Sequence, residues 1–195
     1  MSSPHAKHLH TARWIRPERL AGSPEWTIGL RRHLTAVWFA AAGLILCILL
    51  PAAGFPALYV AAIACGGFYH DCEPLRMLQL PEMNASRLLV RKVLTAWRNY
   101  FLLAIPFALL AILAHPRTAW IAVAWAPLSA LALLYAVVAK YARYRPGETP
   151  RRPVAERFGL AGFILPVLLP LSLGLMVSYA LRAERNLNRY LHDYD

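Results

Sequence analysis

The chain is short of charge, and of acid above all: only 16% of its 195 residues are Asp, Glu, Lys or Arg, with ten acids against twenty-one bases. Four stretches, Leu34 to Tyr69, Asn99 to Pro116, Thr118 to Ala139 and Phe158 to Leu181, hold no charged residue. A water-soluble core does not need runs of that length, whereas hydrocarbon does. Cysteine is scarce too. Cys47, Cys65 and Cys72 form no CxxC pair, so neither a disulfide framework nor a zinc site is implied. No Gly-x4-Gly-Lys-Ser/Thr occurs, which excludes a P-loop that cradles nucleotide phosphates. The polar side chains inside the apolar runs are Thr35, Tyr59, Asn99, Tyr100, Ser129, Tyr135, Ser172, Ser178 and Tyr179, with no HExxH or DxxD spacing. Nucleophilic or metal chemistry has no residue set to carry it. The expectation is therefore no enzyme, no cofactor and no metal. Nucleic acid is not expected either, because the apolar runs keep interrupting the bases.

What is present is 58% apolar residues and a net charge of +11, the composition of an all-α, polytopic helical membrane protein. Leu34 to Tyr69 exceeds one crossing and is punctuated by Pro51, Gly54 and Pro56, so it reads as two helices joined by a tight hairpin. Five transmembrane helices are predicted, at about 34–50, 55–69, 97–114, 119–139 and 158–181, the fifth kinked or partly re-entrant at Pro166 and Pro170. Residues 1–33 form a basic segment, cytoplasmic or interfacial. Within it Trp26, Ile28 and Leu30 beside Arg31 and Arg32 predict an interfacial helix near Glu25 to Leu34. Residues 182–195 read as a polar tail, either frayed or packed on the membrane surface or on a partner.

Lys and Arg number six before the first span, five in 70–98 and six in 140–157, against one, Arg117, between the third and fourth. Basic residues are retained inside, so the three rich segments face the cytoplasm. Five full crossings put Arg182, Arg185 and Arg189 outside; a re-entrant last segment returns them to the cytoplasm. The arginine- and alanine-rich composition fits a multi-pass protein of a bacterial inner membrane.

The most informative stretch is 68–106. After His70, Asp71 and Glu73 mark the exit from lipid, Leu75, Met77, Leu78 and Leu80 make an apolar ridge, and Pro81 suits the first turn of a new helix. From Met83 the period is helical, with Leu88, Leu89 and Val93 apolar and Arg87, Arg91, Lys92 and Arg98 polar. Composition alone allows an interfacial helix on anionic lipid. The order of features, Asp71, Glu73, Leu75, Leu78, Leu80, Pro81, Ser86 and Lys92, followed by Trp97 and Pro106, resembles the segment between the second and third spans of type-two ATP-binding-cassette exporter permeases, the haem-exporter-like members among them. That resemblance implies a short cytoplasmic coupling helix, around Glu73 to Arg87, that docks on a separate ATP-binding subunit. It further implies a homo- or heterodimer and an amphipathic or lipid-like cargo. The family usually has six spans rather than five. The alternative from another class is a non-transporting membrane scaffold or assembly factor, whose basic loops bind anionic lipid or a soluble partner.

Overall fold

The computed structural model describes residues 24–32, 34–50, 52–70, 72–146, 156, 159, 161–163 and 165–191. Every regular element among them is helical. Two helices are long and apolar enough to cross a membrane, or three if the bent first pair counts as one span.

Helix α1 (Pro24–Arg32) starts on a proline, carries Glu25 in its first turn and Arg31 and Arg32 in its last, an arrangement that complements the helix dipole at both ends. It is the short helix expected near Glu25, and it meets α2 (Leu34–Leu49) at an 85° bend. Trp26 is buried completely, its ring edge-on to Phe68 at 5.3 Å and its indole N–H donating to the Tyr69 hydroxyl at 2.8 Å. Only glycine fits at position 29, because a Cβ there would stand inside the Phe68 ring's envelope. Ala52, at φ 63°, makes the turn into α3 (Gly54–Cys65), which continues as one 3₁₀ turn, Gly66–Tyr69. At sixteen residues, α2 spans roughly 24 Å, and α3 with its 3₁₀ turn roughly 26 Å, short of the ~30 Å hydrocarbon core.

Helix α4 (Leu75–Gln79) is a single turn and a half. Glu82, at φ 47°, reverses the chain. The next helix does not open on Pro81: Asn84 caps it, its side-chain oxygen accepting the Arg87 amide, and α5 runs from Ala85 to Ala114. The amphipathic helix and the third span are thus one rod of 30 residues, roughly 45 Å. Its inner face is Ala96, Tyr100, Ala104, Ala108 and Ala111, the four alanines at helical spacing letting neighbours approach closely. Helix α6 (Ile121–Ala142) lies at the centre, buried at Trp125, Ser129, Leu133, Val137 and Tyr141. Aromatic donors stitch α3, α5 and α6 together: Tyr100 to the Leu58 carbonyl, Trp125 to the Tyr100 hydroxyl and Trp97 to the Ala130 carbonyl.

The last segment enters and returns at one end of the bundle. Near the C-terminal end of α6, Arg143 pairs with Glu156; further in, Tyr135 donates to the Glu156 carbonyl and stacks on Phe163, and Tyr59 donates to the Phe163 carbonyl. A 3₁₀ turn at Pro166–Leu168 then reverses the chain. Helix α7 (Leu169–Leu191) runs back parallel to α6, Ser172 bonding the Gly159 carbonyl and Tyr179 packing on Tyr135. Its far end returns to where Glu156 began: the Asn186 side-chain amide donates to the carbonyls of Tyr141, in the last turn of α6, and of Tyr144, just past its end. The break expected at Pro166 and Pro170 is present, so 158–181 is not one straight helix, and of the five predicted spans two or three helices are long and apolar enough to cross a membrane; residues 158, 160 and 164 lie outside the described ones. Residues 182–191 are not a separate tail but the end of α7, with Ala183, Leu187 and Leu191 buried; 192–195 lie outside the described residues.

Candidate functional site

Four charges meet where α1, the 70–74 loop, α5 and α6 converge. Lys92 reaches both Glu73 oxygens, at 2.7 and 2.9 Å, and Glu25 Oε1 at 3.0 Å. Lys140 lies 3.1 Å from Glu73 Oε1 and 3.2 Å from Glu25 Oε1. The side chains are 1% exposed at Lys140, 4% at Glu25, 7% at Glu73 and 17% at Lys92. Burying one such charge alone is prohibitive, and two of each sign leave this set of four neutral. Tyr141 donates to Glu73 Oε1 at 3.2 Å, and Tyr144 holds the Glu73 carbonyl at 2.7 Å. The Lys140 ammonium also stands over the rings of Tyr69 and Tyr141, 5.7 and 5.3 Å from their centroids.

The two carboxyls are driven apart in acidity. Burial pushes Glu73 up, its hydrogen bond with Glu25 and the charge there push it further, and Lys140 and Lys92 pull back without cancelling the rise. Burial opposes the Glu25 charge too, but the bond from Glu73 and the fields of Lys140 and Lys92 outweigh it and hold this carboxyl well below the usual range. The next proton the pair takes therefore sits on the Glu73 side. A cavity of about 450 Å³, bounded by α1 and the 67–77 segment and lined by Glu25, Arg32, His70 and Glu73, gives it a route in.

The nine residues singled out from the sequence divide three ways. Glu73 and Lys92 come together as an ion pair. Leu78 is buried and Leu75 half-buried against the core, so the expected apolar ridge is split and only Met77 and Leu80 are exposed. Pro81 is half-buried, and Ser86 and Arg87 are exposed on the first turn of α5. Asp71 lies outside the described residues.

Sequence reasoning missed Glu25, Tyr69, Lys140, Tyr141 and Tyr144. Lys140 was counted as basic flank because it follows an uncharged run. The available signal was its position: a lysine in the last turn of a long apolar helix, with tyrosines one and four residues on, in a chain with only ten acids, one just before the first apolar run and one just after the second.

Among the described residues the fold and this site define an all-helical protein with two to three helices long and apolar enough to cross a membrane, held by a buried four-charge lock at one end of its bundle. Comparison with known protein families, curated proteins and solved structures finds no match to the chain.

Proposed function

We propose that the chain is the membrane-embedded permease subunit of an ATP-driven exporter, multi-pass in a bacterial inner membrane, working as a dimer with a separate ATP-binding subunit. The observation that carries this reading is Glu73: the residue that leads into α4 is tied by ion pairs to Lys92 of α5 and Lys140 of α6. A displacement of α4 is thereby passed to both long helices at once. Met77 in α4 and Leu80 just past its end are 51% and 77% exposed, a small apolar contact for a docking protein, and Arg87 is exposed on the first turn of α5. The end of the bundle that holds the lock, the α5 start and the α7 end is the basic one, and we assign it to the cytoplasm. Work entering there needs no ionisable group at depth. An apolar interior suits an amphipathic or lipid-like cargo, whereas an ion would require polar groups to replace its water.

The test is affinity purification of the tagged chain from its native membrane, expecting a P-loop ATPase in stoichiometric amount, lost with Leu80→Asp and Met77→Asp. Glu73→Arg and Leu78→Asp are poor probes, since one breaks the lock and the other the core. If no ATPase accompanies the native protein, or both exposed variants retain it, the permease reading falls. The scaffold reading then stands, favoured by the arginine face of α5.

A further inference from the structure

The outward face of α5 changes character along its length without changing direction. At about 100° per residue, Leu102, Ile105 and Leu109 fall within one sector roughly 60° wide, and all three are exposed. Followed toward the helix N-terminus, the same sector carries Arg98, Arg91 and Arg87, with Leu94 just outside its edge, again all exposed. The stripe that meets acyl chains at depth therefore becomes an arginine stripe where the helix leaves the hydrocarbon. Arg98 and Arg91 stand roughly 10 Å apart along the axis, with Arg87 roughly 6 Å beyond. A guanidinium on a long apolar stem reaches several ångströms from its helix. Between the arginines lies an open hollow of about 670 Å³ on the α5 surface, lined by Met83 and by α5 side chains, Val90 and Leu94 among them. The side chains lean locally, Arg98 on the Asn99 oxygen and Arg91 toward the Met83 sulfur. No acidic residue occurs anywhere in α5.

We propose that this hollow is a binding site for an anionic glycerophospholipid, whose phosphate is held between Arg91 and Arg98 with Arg87 behind it and whose glycerol and upper chains rest on Leu94 and Val90. The occupant is lipid rather than a protein because the arginines share the acyl-facing sector, one to three turns above exposed leucines, which is where headgroups lie. The distance from hydrocarbon edge to water is about 5–8 Å on each side of a bilayer, so Arg98 and Arg91 bracket the phosphate layer. Zwitterionic lipids carry the same phosphate but cancel its charge with their own ammonium. The site therefore prefers phosphatidylglycerol over phosphatidylcholine. The inference needs only that α5 spans a membrane; it stands or falls independently of the ATPase partner.

The experiment is native mass spectrometry of the full chain in detergent, titrated in parallel with phosphatidylglycerol and phosphatidylcholine. Each basic residue near an anionic surface is worth about fivefold in binding, so the wild type retains phosphatidylglycerol at least about tenfold better. Arg91→Gln/Arg98→Gln reduces the ratio to near one, and Arg91→Gln alone gives an intermediate value. The control Arg182→Gln/Arg189→Gln, which removes the same charge from exposed positions of α7, leaves the preference in place. Far-UV dichroism and thermal midpoints check that each variant is folded; should the double variant fail that check, Arg87→Gln/Arg91→Gln replaces it. Equal retention of the two lipids by the wild type overturns the proposal. So does a preference that survives the double variant, or one that the α7 control loses as fully. If the arginine variants instead lose a co-purifying protein while keeping the lipid preference, the face is a protein-docking surface and the proposal is wrong.

Discussion

Lys140→Met tests the charge lock most severely. The ammonium is buried, 3.1 and 3.2 Å from one oxygen on each of two carboxylates, so its removal takes one of two lysines from the pair and leaves Lys92 shared between Glu25 and Glu73. Methionine fills nearly the same volume, which keeps the packing term small. Breaking a buried pair by removing one partner is worth about 3–5 kcal/mol, a large share of the 5–15 kcal/mol that holds a typical domain folded. The loss is expected at the lower end of that range, because Glu73 already binds its proton more readily than a free carboxyl and can neutralise the excess. Glu73→Gln alone costs less than Lys140→Met, because the folded chain already favours the uncharged form of this carboxyl more than the unfolded chain does. The double variant Lys140→Met/Glu73→Gln removes one charge of each sign, leaves Lys92 and Glu25 paired, and falls well short of the sum, with a coupling of at least about 2 kcal/mol. The assay is equilibrium unfolding in mixed micelles followed by tryptophan fluorescence. A Lys140→Met loss below about 1 kcal/mol, or additivity in the double variant, would refute the claim that these four charges act as one neutral unit.

The split acidity of the two carboxyls has a definite sign. Because the folded chain holds a proton on Glu73 at higher pH than the unfolded chain does, stability gained from this group increases as pH falls toward the ordinary carboxyl value of 4.5. Below that value the depressed Glu25 loses its contribution, so the pH profile of the thermal midpoint has a maximum whose alkaline side flattens in Glu73→Gln. A protonated-carboxyl infrared band that appears above the usual range and vanishes in Glu73→Gln reports the same event directly. Gly29→Ala drives its methyl into the Phe68 ring and Gly162→Ala into the Ser172 hydroxyl and Leu168 carbonyl; each destabilises by about 1–3 kcal/mol in the same unfolding assay, and Phe68→Ala relieves only the first. In a cysteine-free background, Arg145→Cys and Glu184→Cys label from the same side of the membrane and Arg117→Cys from the other; labelling of 145 and 184 from opposite sides would sink the re-entrant return of α7.

The helical class was legible because hydrocarbon demands long uncharged runs, and α5 and α6 sit where those runs are. The hairpin at 51–54 was legible from Pro51 and Gly54, and the short N-terminal helix from Trp26 and Leu30 beside two arginines. In 156–191 the break at Pro166 and Pro170 was legible, but the choice between a crossing and a return was not. A hydropathy run measures how greasy a segment is, not whether it keeps going, and Phe158 to Leu181 is as uncharged as a crossing. What turns it is local and tertiary: Pro166 in a 3₁₀ turn, Ser172 on the Gly159 carbonyl, and Asn186 closing the end of α6. None of those leaves a periodic trace.

The charge lock escaped notice for a related reason, and Arg91 and Lys92 make the case. Adjacent in sequence, they count equally as bases flanking a span, yet adjacent helical residues point about 100° apart. Arg91 projects outward in line with Leu102 and Ile105, while Lys92 turns in toward Glu73 and Glu25. The choice of residue agrees with the two settings. A compact ammonium fits among four carboxylate oxygens in a tight site, and a planar, weakly hydrated guanidinium suits a phosphate layer. Exchanging them, Arg91→Lys with Lys92→Arg, keeps the charge count and every rule based on it. It nevertheless places a larger, forked cation in a site with room for one nitrogen at 2.7–3.0 Å. The exchange is therefore expected to destabilise the bundle by about 1–3 kcal/mol through overpacking, whereas Arg91→Lys alone leaves stability within about 0.5 kcal/mol, as at other exposed positions. Equal stability of the exchanged variant and the wild type would mean that the lock tolerates any cation, and that charge counting had captured all that matters at this turn of α5.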